Sequence, residues 1–131
     1  QSSVMLHNIS KDQWVFEQIL VMANDLLSCE ASSILLANPD KREMIVAVST
    51  VIKKDFYLGR TIPLDKGLSG WVFLQEQAAI VDKIESDERF DIEIDKRVNF
   101  EPHCILAVPL HVNGSPIGVM EFFNKKECIF T

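Results

Sequence analysis

Two β-rich runs, Ile105–Val112 and Ile117–Phe123, are separated by little more than the pair Asn113-Gly114. That pair is the one two-residue hairpin loops favour, because both turn positions need positive φ. The two runs are therefore expected to lie side by side and antiparallel. Ser33-Ile34-Leu35-Leu36 and Met44-Ile45-Val46-Ala47-Val48 flank Asn38-Pro39-Asp40 in the same manner and predict a second hairpin. Arg60–Leu64 and Ala79–Val81 read as short third and fourth strands, with Leu68–Gln75 as a helix between them. Hairpins without regular βαβ alternation point to an antiparallel sheet with helices packed on it.

Ser10-Lys11-Asp12-Gln13 has the form of a capping box, so a helix is expected to start after Ser10. Its apolar residues fall in two adjacent stripes, Val15, Ile19, Met22, Leu26 and Phe16, Leu20, Ala23, Leu27. Together they are wider than burial on one side of a sheet requires, so either one stripe meets the sheet and the other a helix of a partner chain, or the helix is buried deeply in its own domain. The polar, acid-rich stretch Glu85–Phe100 predicts short helical turns and loop.

The 131 residues fit one domain with a core of its own. A net charge of −6 argues against nucleic acid, which needs a basic face, and against an anionic membrane surface. No apolar run approaches the roughly 20 residues of a membrane helix. Cys29, Cys104 and Cys128, an odd count without CxxC spacing, read as reduced thiols of a cytoplasmic protein. The start at Gln1 and the apolar ending Cys128-Ile129-Phe130-Thr131 lead to the expectation of a single domain over 1–131, excised from a larger signalling protein and lacking a C-terminal helix.

Ile62-Pro63-Leu64-Asp65-Lys66-Gly67-Leu68-Ser69-Gly70 reads as a strand ended by Pro63, a glycine turn, and a helix opening on small residues. Gly67 and Gly70 permit close approach of whatever lies above them, which fits the wall of a ligand pocket. Nothing in the chain assembles a catalytic set. Ser69 is not in a G-x-S-x-G elbow, no P-loop occurs, and no histidine has an evident acid and nucleophile beside it. His103 and Cys104 are adjacent on a strand and point to opposite faces, and His111 is eight residues further on, roughly 27 Å away in an extended strand. No metal or other cofactor is expected from them. Asp87–Asp95 lacks the glycine-punctuated spacing of a calcium loop and reads as a solvated face.

In order and spacing, several pieces together resemble a GAF domain over nearly the whole chain. They are Cys29–Leu36, Ile62–Gly70, Asp87-Glu88-Arg89-Phe90, Ile105–Leu110 and Ile117–Lys125. Asn124, Lys125 and Phe130 are similar to the Asn-Lys-…-Phe signature of the branch found in cyclic-nucleotide phosphodiesterases and bacterial adenylate cyclases. The resemblance implies an α+β fold, a six-stranded antiparallel sheet with helices on both faces (GAF/PAS-like). It also implies a homodimer through the helical face and a regulatory role toward an attached output domain. Phe16, Leu20, Ala23 and Leu27 are the expected dimer residues.

The same resemblance implies a pocket between the sheet, the Leu68–Gln75 helix and the 82–102 segment, lined by Ser49, Ile62, Leu68, Ser69, Phe90, Asp91, Val98, Pro102 and Glu121. Glu121 would offer an acceptor, Phe90 an apolar wall and Ser49 a hydroxyl. Nucleotide-binding members carry an Asp where Ser49 stands, and two threonines where Val98 and Pro102 stand. Pro102 has neither hydroxyl nor N–H to give a phosphate. Two lost donors weaken nucleotide binding by about a hundredfold or more. The sequence thus leads to a regulatory domain sensing an unidentified small molecule, with a cyclic-nucleotide receptor and a ligand-free docking module with a filled pocket as the alternatives. No catalysis is expected of the domain alone. A redox role for Cys104 would require a readily alkylated thiol.

Overall fold

The computed structural model describes residues 13–50, 59–91, 93 and 101–128. Helix α1 (Gln13–Leu27) leads into β1 (Cys29–Asn38) and β2 (Glu43–Ser49). There follow β3 (Thr61–Pro63), helix α2 (Gly67–Gln75), β4 (Ala79–Val81), β5 (Ile105–Val112) and β6 (Ser115–Lys125). The six strands form one sheet in the order β3-β2-β1-β6-β5-β4, every neighbouring pair antiparallel. Short 3-10 turns occur at Pro39–Lys41, Ile84–Ser86 and Lys126–Cys128. The capping residue expected at Ser10 lies outside the described residues.

The turn chemistry read from the sequence is what shapes the hairpins. Asn113 and Gly114 have φ of 52° and 81°, the left-handed pair that matches strand twist. Between β1 and β2, Pro39 opens a 3-10 turn and left-handed Arg42 closes it, its N–H donating to the Pro39 carbonyl. Gly118 is needed for another reason: a Cβ there would lie 2.0 Å from the Leu35 carbonyl oxygen on β1.

The central strand β1 is buried at every residue from Ala31 to Ala37, because both faces of the sheet are covered. On one face, Leu35, Met44, Val46, Ile105, Val119 and Phe123 pack with Leu68, Val72 and Phe73 of α2. On the other, Ile34, Leu36, Val48 and Phe122 pack with α1. A bulge between Ile34 and Leu35 shifts the β1–β2 register, so that Val46 and Val48 serve opposite faces.

The helix α1 separates its two stripes in the opposite sense to the expected one. Leu20 is fully buried, and Phe16, Ala23 and Leu27 pack with it on the sheet. The residues assigned to a dimer contact are thus occupied by the chain's own β1, β2 and β6. Ile19, Met22 and Leu26 are the exposed stripe, 49%, 63% and 83% accessible. The helix ends at left-handed Ser28, whose N–H donates to the Asp25 carbonyl, while Lys125 Nζ donates to the Leu27 carbonyl.

The reading of three reduced thiols is also corrected. Cys104 and Cys128 are joined by a disulfide, and among the described residues only Cys29 is free. Sequence spacing hides this pair: the β5–β6 hairpin brings together residues separated by 24 positions.

Candidate functional site

The ladders place one row of short or polar residues straight across five strands. Ser49 on β2 is opposite Ser33 on β1, Ser33 opposite Glu121 on β6, Glu121 opposite Ala107 on β5, and Ala107 opposite Ala79 on β4. Alternation puts the row on the α2 face, since Ala31, Leu35, Val119 and Phe123 on either side belong to that core. Ser33 Oγ and Ser49 Oγ are 3.3 Å apart and hydrogen-bonded. Ser33 and Glu121 are fully buried and Ser49 is 4% exposed. A carboxylate in the middle of an apolar face costs several kcal/mol unless something compensates its charge.

Above this row, α2 packs on β5 and β6. Its first residue, Gly67, has φ of 77°. A Cβ on Gly70 would come within 2.4 Å of the Leu64 carbonyl oxygen, so this glycine lets the helix sit tight on its own β3–α2 turn. Ser69 is fully buried, and its Oγ has no hydrogen-bond partner among the described residues. A buried hydroxyl left in that condition costs about 1–3 kcal/mol.

The segment after β4 meets α2 through the Arg89 guanidinium, which an ion pair within the segment holds in place. Arg89 donates from Nε to Asp87 Oδ1 at 2.9 Å and from Nη2 to Oδ2 at 2.6 Å, and the Arg89 N–H donates to Oδ1 as well. The guanidinium lies 4.4 Å from the centre of the Trp71 ring. Hydrogen bonding from Arg89 holds the Asp87 carboxyl below its ordinary value, and Asp87 in turn raises the Arg89 guanidinium. Trp71 is thus only half-buried, its ring shared between the core and this cation.

Of the residues expected in a pocket, Ser49 and Glu121 meet in the polar row. Ile62, Leu68 and Phe90 belong to or pack against the α2-side core, and Ser69 is in the first turn of α2. Pro102 is buried just before β5. Asp91 is half-exposed, its Oδ1 accepting the Glu93 N–H. Val98 lies outside the described residues. Sequence reasoning missed Ser33, because the bulge between Ile34 and Leu35 that brings it opposite Ser49 has no signal in the sequence. Two surface clefts lie away from this group. One of about 340 Å³ is bordered by Val81, Asp82 and Ser86, and one of about 280 Å³ by Trp71, Gln75 and Arg89.

His103 is exposed and gives its backbone N–H to Asn124 Oδ1, whereas His111 Nε2 is 3.1 Å from Glu76 Oε1. Among the described residues no group of three His, Cys, Asp or Glu could hold a metal ion, and no helix is long and apolar enough to cross a membrane. Burial pushes the Cys29 thiol up, with Lys125 partly opposing it.

A six-stranded antiparallel sheet in this order, covered among the described residues by one helix on each face, is an α+β architecture. The sequence model of the GAF domain matches residues 13–131, and the chain belongs to that family. It is 22% identical over 136 aligned residues to the Caenorhabditis elegans protein named as a probable 3',5'-cyclic phosphodiesterase, pde-5, covering 97% of this chain and 19% of that protein. The chain therefore spans about a fifth of that relative's length. Among solved structures, the GAF domain of a phosphoenolpyruvate-protein phosphotransferase from Coxiella burnetii superposes with a TM-score of 0.76, at 15% identity over 99% of this chain and 81% of that one. A free methionine-R-sulfoxide reductase from Thermoplasma acidophilum gives 0.70, at 16% identity over 96% and 82%. The fold is thus shared by regulatory domains and by an enzyme.

Proposed function

We propose that this domain is the small-molecule-sensing input of a longer cytoplasmic signalling protein, not a catalyst in itself. The observation that carries the reading is Ser69 Oγ, fully buried and without a hydrogen-bond partner among the described residues, in the helix turn above the face that bears the buried Ser49–Ser33–Glu121 row. Hydroxyls and a carboxylate held out of water in this way suit a compact polar ligand with hydrogen-bond donors. The ligand would enter where the Asp87–Arg89–Trp71 contact pins the 82–90 segment to α2. The exposed stripe Ile19, Met22 and Leu26 on α1 is the surface for a second copy, through which a change on the α2 face reaches an attached output domain.

A cyclic nucleotide is the second reading, supported by the phosphodiesterase relative. Val98 and Pro102 weigh against it, since neither side chain supplies the hydroxyl donor that the nucleotide-binding pattern has there. A thermal-unfolding titration with cyclic AMP and cyclic GMP to millimolar concentration decides between them. Binding to the folded state stabilises by about 2.7 kcal/mol at a hundredfold excess over Kd. A saturable shift with one of them makes the domain a cyclic-nucleotide receptor. No shift with either removes that reading and leaves other polar ligands.

A further inference from the structure

The disulfide joins Cys104, at the entry to β5, to Cys128, in the turn after β6, with Cα atoms 5.7 Å apart. The hairpin register makes the pair reachable without moving the sheet. Ile105 lies opposite Phe123, the Asn124 N–H donates to the Cys104 carbonyl, and the turn Lys126–Cys128 then folds back toward Cys104. That return needs left-handed backbone at Asn124, Glu127 and Cys128, with φ of 55°, 61° and 53°. Non-glycine residues hold such a conformation only where their surroundings over-determine it.

At the front of the turn the surroundings are the hydrogen bonds of Asn124. Its Oδ1 accepts the N–H groups of His103 and Cys104, and its Nδ2 donates to the Glu101 carbonyl and to Glu30 Oε1. At the back, the Lys126 N–H donates to the Ser28 carbonyl and the covalent bond holds Cys128.

We propose that Cys104–Cys128 is a redox modification site whose oxidation state sets whether the segment leaving β6 is locked to residues 101–104. Disulfides in a cytoplasmic setting are in the main transient and redox-active, and the oxidant class is a low-molecular-weight disulfide of the glutathione type. Cys104 is fully buried, whereas Cys128 is half-buried with Lys126 two residues away, so Cys128 is the entry sulfur. The Cys128 thiol loses its proton and attacks one sulfur of the small disulfide, releasing one small thiolate that takes up a proton. The Cys104 thiol, deprotonated in turn, attacks Cys128 Sγ and expels the second small thiol. Two protein thiols are oxidised by two electrons, one small disulfide is reduced to two thiols, and two protons pass between them. With the bond broken, Glu127 and Cys128 relax to ordinary backbone while Asn124 stays held. The inference rests on the cytoplasmic setting proposed above, and is independent of whether the α2 face binds a ligand.

The test equilibrates the 131-residue chain in glutathione buffers from fully reduced to fully oxidised, traps thiols by alkylation, and reads peptides by mass spectrometry beside hydrogen exchange. One two-electron transition is expected within the buffer range, with Cys29 alkylated throughout. Reduction is expected to speed exchange about tenfold or more at amides of 101–104 and 124–128, and not in β1. Cys128→Ser, which leaves the core around Cys104 intact, has to show the reduced pattern in every buffer. Should it fail to fold, the wild-type comparison decides alone. The proposal is overturned if both cysteines are alkylated in the most oxidising buffer. It is equally overturned if the bond survives the most reducing one, or switches without changing exchange at those segments.

Discussion

Ser33 on β1 lies directly opposite Glu121 on β6, and both are fully buried on the face that α2 covers. A sheet selected for stability alone would place an aliphatic pair there, as it does one step away in the same direction with Leu35 and Val119. Ser69, on the helix packed over that face, makes the sharper test. Ser69→Ala removes a buried hydroxyl that has no partner among the described residues and substitutes a better helix former. The ligand-free domain should gain about 1 kcal/mol, read as a rise of roughly 3–6 °C in thermal unfolding. A loss of stability would show that the hydroxyl serves the fold.

The two faces of α1 should respond differently to substitution. Leu20→Ala opens a cavity between α1 and the sheet and should cost about 2–5 kcal/mol in denaturant unfolding. Leu26→Glu, at an 83% exposed position, should change stability by less than about 0.5 kcal/mol. In light scattering, however, it should shift any dimer to monomer.

Asp87 gives the fold a pH-dependent increment. Its carboxyl is held below the ordinary 3.8, chiefly by hydrogen bonding from Arg89. A group depressed in the folded state stabilises above its unfolded value and loses that contribution as pH falls through the folded one. Arg89→Met should therefore destabilise the domain by a constant amount near neutrality. That difference should shrink below about pH 4, leaving only the lost Trp71 contact.

Asn124 should be the costliest polar residue to truncate outside the sheet faces. Asn124→Ala removes the side-chain hydrogen bonds to His103, Cys104, Glu101 and Glu30 and leaves alanine at φ of 55°. About 2–4 kcal/mol is expected, in proportion to the bonds lost, measured by urea unfolding. Lys125→Met should cost less, since one contact to the end of α1 is at stake.

The fold was readable where local chemistry dictates it. Asn113-Gly114 fixed one hairpin, Pro39 with its neighbours fixed another, and Ala79–Val81 is the strand its β-branched pair suggested. The failures share a cause, namely contacts set by distant chain. Two apolar stripes on α1 are equivalent until a sheet chooses one, and it chose Phe16, Leu20, Ala23 and Leu27. Cys104 and Cys128 carry no spacing signal, because the turn after β6 folds Cys128 back toward the start of β5. Gly70 looked like a place for a ligand to approach, yet the group that approaches it is the Leu64 carbonyl. Ser33 was passed over because which of the adjacent Ser32 and Ser33 faces α2 shows only once the neighbours on β2 and β6 are known.

The most direct test of the sensing site is two-dimensional 1H–15N NMR of the labelled domain, titrated with cyclic AMP, cyclic GMP and pooled nucleobases, amino acids and polyamines at millimolar concentration. The account expects at least one compound to give saturable shifts centred on Ser33, Ser69, Glu121 and their ladder neighbours, weakened in Ser69→Ala and Glu121→Gln. Shifts confined to the surface clefts beside Asp82 or Trp71, or none with any compound, would contradict it.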